Sequence, residues 1–475
     1  MVLILFAHLS QAQIPDWEWV HDAAGDKAAS YGIARHADGS YSVVGTFQHT
    51  LAFGNYTLAS SGGDDVFVAH YTAQGQIGWA TRAGGPGNDG AMAVATDAAG
   101  NVVVTGRFRG MASFGPTALT SVGDDDFFLA KYTAAGVLLW VRQAGGPLAD
   151  VGRALAIDGS GSILVTGTFK GRLTLDATTL TAASETAFLA KLDGQGNAVW
   201  MQAIPDGYAA GLAADSSGDV YLAGAFTTDR RLLAKYSGST GTLLITNSSA
   251  GRDIHMGNAV AIGPDGSVYV TGRFQDTLQI GSTRLISQGS SNGFLAKFTS
   301  QGVAVWGQNV GGYQADQSYS VAVSAGDDIA ITGYFQDTVS FGGNRLRVGS
   351  SCNCVGMFVA GYSNQGACRW ARNFTATAQS AGTGLVFDAA NNVTVTGLYH
   401  GTANFGTTAL NNGCTGNLFI AHLTTAFPDL TINAAQPVQG SYHNLTVTGT
   451  GIATLAGPLQ ISGVLTVQSG GSLAT

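Results

Sequence analysis

Between residues 91 and 142 apolar and polar positions follow a fixed order. Residues 91–96 alternate small apolar side chains, and Asp97-Ala98-Ala99-Gly100-Asn101 supplies turn chemistry. Residues 102–108 form a β-branched run, and residues 109–126 read as a longer loop. Residues 127–132 are a third apolar run, 133–136 a turn, and 137–142 a fourth run that carries Trp140. Apolar positions with period two or in short continuous runs, bounded by Gly and Asp, predict four short strands.

The same unit recurs along the chain. Trp19, Trp79, Trp140, Trp200, Trp306 and Trp370 share one repeat position, at intervals of about 60 residues apart from the long gap between Trp200 and Trp306. That gap holds one more unit, in which Leu244 stands where the tryptophan is expected. A glycine two residues before an aromatic recurs at Gly45, Gly106, Gly167, Gly224, Gly272, Gly333 and Gly397. An Ala-x-aromatic or Ala-x-Leu series ends at Tyr71, Tyr132, Leu192, Tyr236, Phe298, Tyr362 and Leu423. A repeat of this period, built of four antiparallel strands, predicts blades packed radially around a channel, and two series count seven. The expected fold is therefore all-β, a seven-bladed β-propeller. Its Ala-rich first strands suit the crowded axis, and an indole on the fourth strand suits the seam to the next blade.

Both ends of the repeat are incomplete in a complementary way. Residues 418–423 are the third strand of the seventh unit, and no fourth follows. Residues 16–21, with Trp19, are a fourth strand with no first three before it. Pairing the two closes the ring and hides sheet edges that would otherwise invite aggregation. Unit four is shorter between Phe226 and Leu233 than its neighbours, which predicts a tight hairpin and a notch in one face.

Three segments are expected: a signal peptide over 1–13, the propeller over 14–427, and a β-rich stalk or the start of a solenoid over 428–475. The apolar residues 2–9 and small residues 10–12 carry the first expectation, although a basic leader is missing. The last segment alternates Thr, Val, Leu, Ile and Gly, as in Leu445-Thr446-Val447-Thr448-Gly449, and reads as a piece of a longer gene product because no cap closes it.

Composition sharpens the picture. Charged residues make up 11% of the 475 positions and Gly supplies 68, a balance that opposes helix. The net charge of −8 leaves no basic footprint for nucleic acid. No run approaches the ~18 apolar residues of a membrane helix.

The units resemble the seven-bladed propeller repeats of bacterial secreted and cell-surface proteins. The matching residues are the Asp97–Asn101 turn, Val104-Thr105-Gly106-Arg107-Phe108, Phe114-Gly115, and Phe128-Leu129-Ala130-Lys131-Tyr132 leading to Trp140. The resemblance spans roughly residues 16–425. It implies a secreted or surface location and is nearly silent on activity, since fold alone does not set function.

Candidate chemistry is sparse. Asp89, Asp150 and Asp316 each follow their blade's tryptophan by ten residues, and with Asp64, Asp65, Asp124, Asp125 and Asp126 they place carboxylates on one face. Such a set would hold Ca²⁺ if it converged; the simpler reading is that each Asp satisfies backbone N–H groups where loops enter strands. Cys352, Cys354 and Cys414 fall in equivalent loops of adjacent blades and are disulfide candidates, whereas Cys368 is too distant to join them. His70 and His422 occupy the position that Lys131, Lys191, Lys235 and Lys297 fill elsewhere, so they read as repeat residues. No catalytic site is identifiable: there is no nucleophile elbow, P-loop or zinc-helix motif. These features favour a non-enzymatic secreted or surface-displayed binding or adhesion scaffold, part of a larger surface protein, with a glycan or another surface protein as partner. The alternative is an exported enzyme (hydrolase, lyase or quinone-type oxidoreductase) working at the channel mouth. The quinone enzymes share a turn like Gly136-Val137-Leu138-Leu139-Trp140, but typically have eight blades and adjacent cysteines, absent from this chain.

Overall fold

The computed structural model describes residues 15–205, 207–226, 231–248, 255–348, 355–412 and 416–425, and the strands between residues 430 and 474. The third repeat shows how local sequence becomes structure. Its strands are Val151–Ile157, Ile163–Leu175, Thr178–Leu192 and Ala198–Ile204, paired antiparallel in that order. The first turn forms because Asp158 Oδ1 accepts the N–H groups of Ser160 and Ser162, while Gly161 takes φ +83°. The run of residues 163–169 is wholly buried, since both faces of the sheet pack against neighbours. Its core joins Ile163, Val165 and Phe188 to Val103, Phe127 and Leu129 of the preceding repeat.

Four more sheets have this four-stranded order. They begin at Gly207–Ala214, His255–Ile262, Gln317–Val323 and Ser380–Phe387. Two further groups, beginning at Ala24–Arg35 and Gly90–Thr96, are joined in one nine-stranded sheet. The first strands pack on one another in succession, and Ser380–Phe387 packs on Ala24–Arg35 to complete the cycle. The sheet of Ser380–Phe387 takes its outer strand from the other end of the chain. Asp16–Asp22 pairs antiparallel with Asn417–Thr424, placing Trp19 opposite His422, as expected from the sequence. Tyr399 Oη donates to Asp22 Oδ2 at 2.6 Å across this closure.

The tryptophans work at the seams. The ring of Trp79 stacks on His70 at 5.5 Å, and its Nε1 donates to Ala134 O in the turn of the next blade. A Cβ on Gly136 of that turn would stand 2.7 Å from the indole. Trp200 and Trp306 make the same cross-seam bond to Gly238 O and Asn364 O. In the fourth blade the equivalent residue is Ile245, one position beyond the expected Leu244. Ile245 lies opposite Lys235, as Trp200 lies opposite Lys191, and its Cγ2 approaches Gly302. The turn there is one residue longer: Ser237 N donates to Thr242 O, whereas Thr72 N donates to Gln76 O. That extra residue leaves Leu244 at the unpaired position, exposed.

The stretch 109–126 is not a loop. Val102–Phe114 and Thr117–Tyr132 run on as a hairpin that reaches back to the outer strand of the preceding blade, pairing Phe114 with Ala83 and Ser113 with Gly84. Equivalent clasps join Gly145 to Thr174, Gly311 to Ser340, Thr375 to Asn404, and Gly25 to Leu51. Among the described residues the fourth blade shows no such hairpin: its second strand ends at Phe226 and its third begins at Arg231.

Beyond the ring, pairing changes from antiparallel to parallel. Leu430–Ile432, Leu445–Val447 and Leu465–Val467 form one parallel ladder. Ala435–Tyr442, Ile452–Ile461 and Ser472–Ala474 form a second, so successive strands alternate between two ladders as in a solenoid. The expected signal peptide, residues 1–13, lies outside the described residues. Among the described residues no helix is long and apolar enough to cross a membrane.

Candidate binding site

Every first strand carries the same irregularity. The register against the second strand slips by one residue just past the repeat glycine, leaving Tyr31, Met92, Arg153, Ala210, Asn258, Tyr319 and Thr383 as bulged residues. A bulge bends the strand and re-aims its extra side chain. All of these residues line one cavity of about 520 Å³ at the axis. Small residues follow each bulge, where the strands crowd: Gly32 faces the Ala93 backbone, and Gly211 would place a Cβ 2.6 Å from the Ala259 Cα.

The remaining wall comes from two neighbouring positions. Tyr208, Met256, Gln317 and Ala381 precede the bulges by two residues, and Arg273 and Leu398 follow the repeat glycine on the second strand. The wall is thus aromatic, amide-bearing and cationic, with no Asp, Glu, His or Cys in it among the described residues. The Arg153 guanidinium lies 4.5 Å from the Tyr208 ring centroid, and its Nε donates to Thr168 Oγ1 at 3.4 Å. Tyr319 packs on Tyr334 with ring centroids 5.6 Å apart. Burial pushes the Tyr319 hydroxyl up to about 12, so it stays protonated near neutral pH.

Neither cavity arginine is ion-paired to a carboxylate among the described residues. Elsewhere the arginines that face carboxylates are engaged: Arg82 with Asp65 at 2.8 Å, Arg107 and Arg109 with Asp125 at 2.7 Å, Arg372 with Asp16 at 2.8 Å.

The aspartates singled out in the sequence do not converge on this cavity. Asp89, Asp150 and Asp316 each sit in a Gly-Gly-x-x-x-Asp loop under a clasp, whereas Asp65 pairs with Arg82 and Asp125 with Arg107 and Arg109. Asp89 Oδ2 accepts the Gly85 N–H at 2.7 Å, Asp150 Oδ2 that of Gly146 at 2.8 Å, and Asp316 Oδ2 that of Gly312 at 2.6 Å. Asp89 Oδ1 also accepts the Arg109 N–H, and Asp316 Oδ1 the Gln336 N–H. Burial raises all three carboxyls, Asp89 to about 6 and the other two to about 7. For Asp89 and Asp150 the neighbouring carboxylates Asp65 and Asp126 add to the rise. Among the described residues no three His, Cys, Asp or Glu side chains gather as a metal ion would need. Cys352, Cys354 and Cys414 lie outside the described residues; Cys368 is a free thiol, pushed up to about 11 by burial.

The cavity residues carry a signal in the sequence. First strands are built of Ala, Gly and Ser, and Tyr31, Met92, Arg153, Tyr208, Met256 and Tyr319 are too large for an axis filled only by packing. Only their side-by-side placement makes them a site.

Antiparallel four-stranded blades around an axial cavity define a β-propeller. The chain has this fold, and its residues 139–168 match the family model described as a β-propeller repeat. That match spans the Trp140 strand, the Asp150 loop and the next blade as far as Thr168. Solved structures with similarity include the WD40 β-propeller domain of Doa1, at 10% identity and TM-score 0.47, covering 86% of this chain and 98% of that one. Sqt1 from Chaetomium thermophilum aligns at 13% identity and TM-score 0.43, covering 84% and 87%. A gluconolactonase from Xanthomonas campestris aligns at 12% identity and TM-score 0.36, covering 87% and 95%. No curated protein matches.

Proposed function

We propose that this chain is a non-enzymatic binding module working outside the cell, and that its ligand sits in the axial cavity. The supporting observation is the cavity wall itself. Its volume of about 520 Å³ is that of a small-ligand site, and its tyrosines, arginines and amides are groups that hold a ligand. General acid–base or nucleophilic chemistry needs a group able to exchange a proton near neutral pH or to attack. Among the described residues the wall offers no carboxylate, imidazole or thiol, and Tyr319 is held up to about 12. This lining supports the binding reading over an exported enzyme working at the cavity.

The partner expected is a glycan of a surface or matrix, presented to the ring's open face. A glycan array probed with the full chain and with Ala210→Trp tests this. Ala210 is the smallest bulged residue and lines the cavity, so an indole there is expected to take up its space. Binding by the native chain that the variant loses is the expected result. An array with no bound glycan, or one bound equally by both proteins, sinks the reading.

A further inference from the structure

Resting on that reading, we infer that the cavity selects a carboxylated sugar, a short uronic-acid glycan, with Arg153 and Arg273 as the residues that recognise its carboxylate. Three observations converge on it. First, the protein carries a net charge of −8, yet among the described residues two guanidinium groups and no acidic side chain line its axial cavity. A walled cleft of one sign concentrates its field on a ligand of the other.

Second, both arginines are underused by the protein. Arg153 spends its Nε on Thr168 Oγ1 and its face on Tyr208, and its two Nη groups have no partner among the described residues. Arg273 makes no hydrogen bond or ion pair among the described residues, although it stands close to Tyr319 and Tyr334. These half-buried guanidinium groups keep N–H donors that no protein acceptor among the described residues occupies, free to meet the oxygen atoms of a ligand. A planar carboxylate matches the guanidinium fork in a way that an isolated hydroxyl does not.

Third, the rest of the wall suits a sugar better than a flat aromatic acid. Asn258 and Gln317 offer both donors and acceptors, as neighbouring hydroxyls require, Thr383 adds an acceptor because its hydroxyl already donates to Ser30 O, and Tyr31 presents an exposed ring against which a pyranose C–H face would lie. Asn258 is positioned by donating Nδ2–H to Ser318 O at 2.7 Å, so its carbonyl oxygen remains for the ligand.

The test is calorimetric titration of the full chain with linear trigalacturonate and with the same trisaccharide after reduction of its carboxyl groups. The acid is expected to bind at least about tenfold more tightly than the reduced form, with an affinity that falls as salt rises. Arg153→Gln and Arg273→Gln are each expected to bring the acid down toward the reduced form. Equal affinity for the two sugars, abolished by Ala210→Trp, overturns the carboxylate assignment and leaves the cavity reading standing. Binding of either sugar that Ala210→Trp does not disturb overturns both. Absence of binding by either sugar overturns the uronate assignment, while the array decides the cavity reading separately.

Discussion

Asp316 holds both carboxylate oxygens against backbone N–H groups, Gly312 on one side and Gln336 on the other, and is wholly buried. Two hydrogen bonds do not offset the loss of water, so its carboxyl keeps a proton up to about pH 7 in the folded chain, against an ordinary value of 3.8. The folded state then binds more protons than the unfolded state between those values. Stability from this group is fully present below about pH 4 and is lost as the pH rises toward 7, by roughly 4 kcal/mol in all. His36, lowered to about 4 chiefly by burial, pulls the opposite way in an overlapping window, so the native chain alone does not isolate the effect. Comparing Asp316→Asn with the native chain does. The amide costs a constant amount, because its NH₂ faces one of the two N–H groups, but the variant gains on the native chain between pH 5 and pH 8. Denaturant unfolding at both pH values reads that gain, and a difference that does not move with pH contradicts the argument.

Between residue and ring stands the clasp. A hairpin of one blade hydrogen-bonds to the outer strand of the blade before it, and the second glycine of the Gly-Gly pair lies directly under the hairpin backbone. A Cβ on Gly146 would stand 1.9 Å from Arg172 O, and one on Gly85 1.7 Å from Met111 O. Backbone cannot step aside as a flexible side chain can, so Gly146→Ala is expected to cost about 3 kcal/mol. Gly159, in the turn that follows the next strand, has nothing within 4 Å of a built Cβ, and Gly159→Ala is expected to fall within about 0.5 kcal/mol of the native chain. Thermal unfolding of the two variants side by side checks the pair; a harmless Gly146→Ala removes the clasp from the account. Trp79, Trp200 and Trp306 provide the matching contact at the other end of their seams, where each indole donates to the next blade's turn.

The ring as a whole depends on a strand borrowed from the opposite end of the chain. Asp16–Asp22 covers the edge of Asn417–Thr424, and Arg372 Nη2 and Tyr399 Oη tie it down through Asp16 and Asp22. Without it the strand carrying Leu418 and Ile420 presents unpaired backbone groups to solvent. A chain lacking residues 1–22 is expected to unfold at lower temperature and to associate through that edge, as size-exclusion chromatography would register. A monomer with unchanged unfolding would show that closure contributes little. The repeat itself was legible residue by residue: the Gly45-to-Gly397 series marks the second strand of each blade, and the Trp19 segment was identifiable as the missing outer strand. Strand identity and order follow from local pattern, because alternation and turn residues act over a few positions. The clasps were not legible, since residues 109–126 bond to a partner some 30 positions upstream and show little local periodicity of their own. The Ile245 position was missed because a turn lengthened by one residue shifts the register without changing composition. The cavity was least visible of all. Tyr31, Arg153, Arg273 and Tyr319 are scattered over nearly 300 positions, and nothing between them signals that they meet. They meet because each first strand bulges at the same step and the ring turns those bulges inward, a result of long-range packing that no single repeat contains.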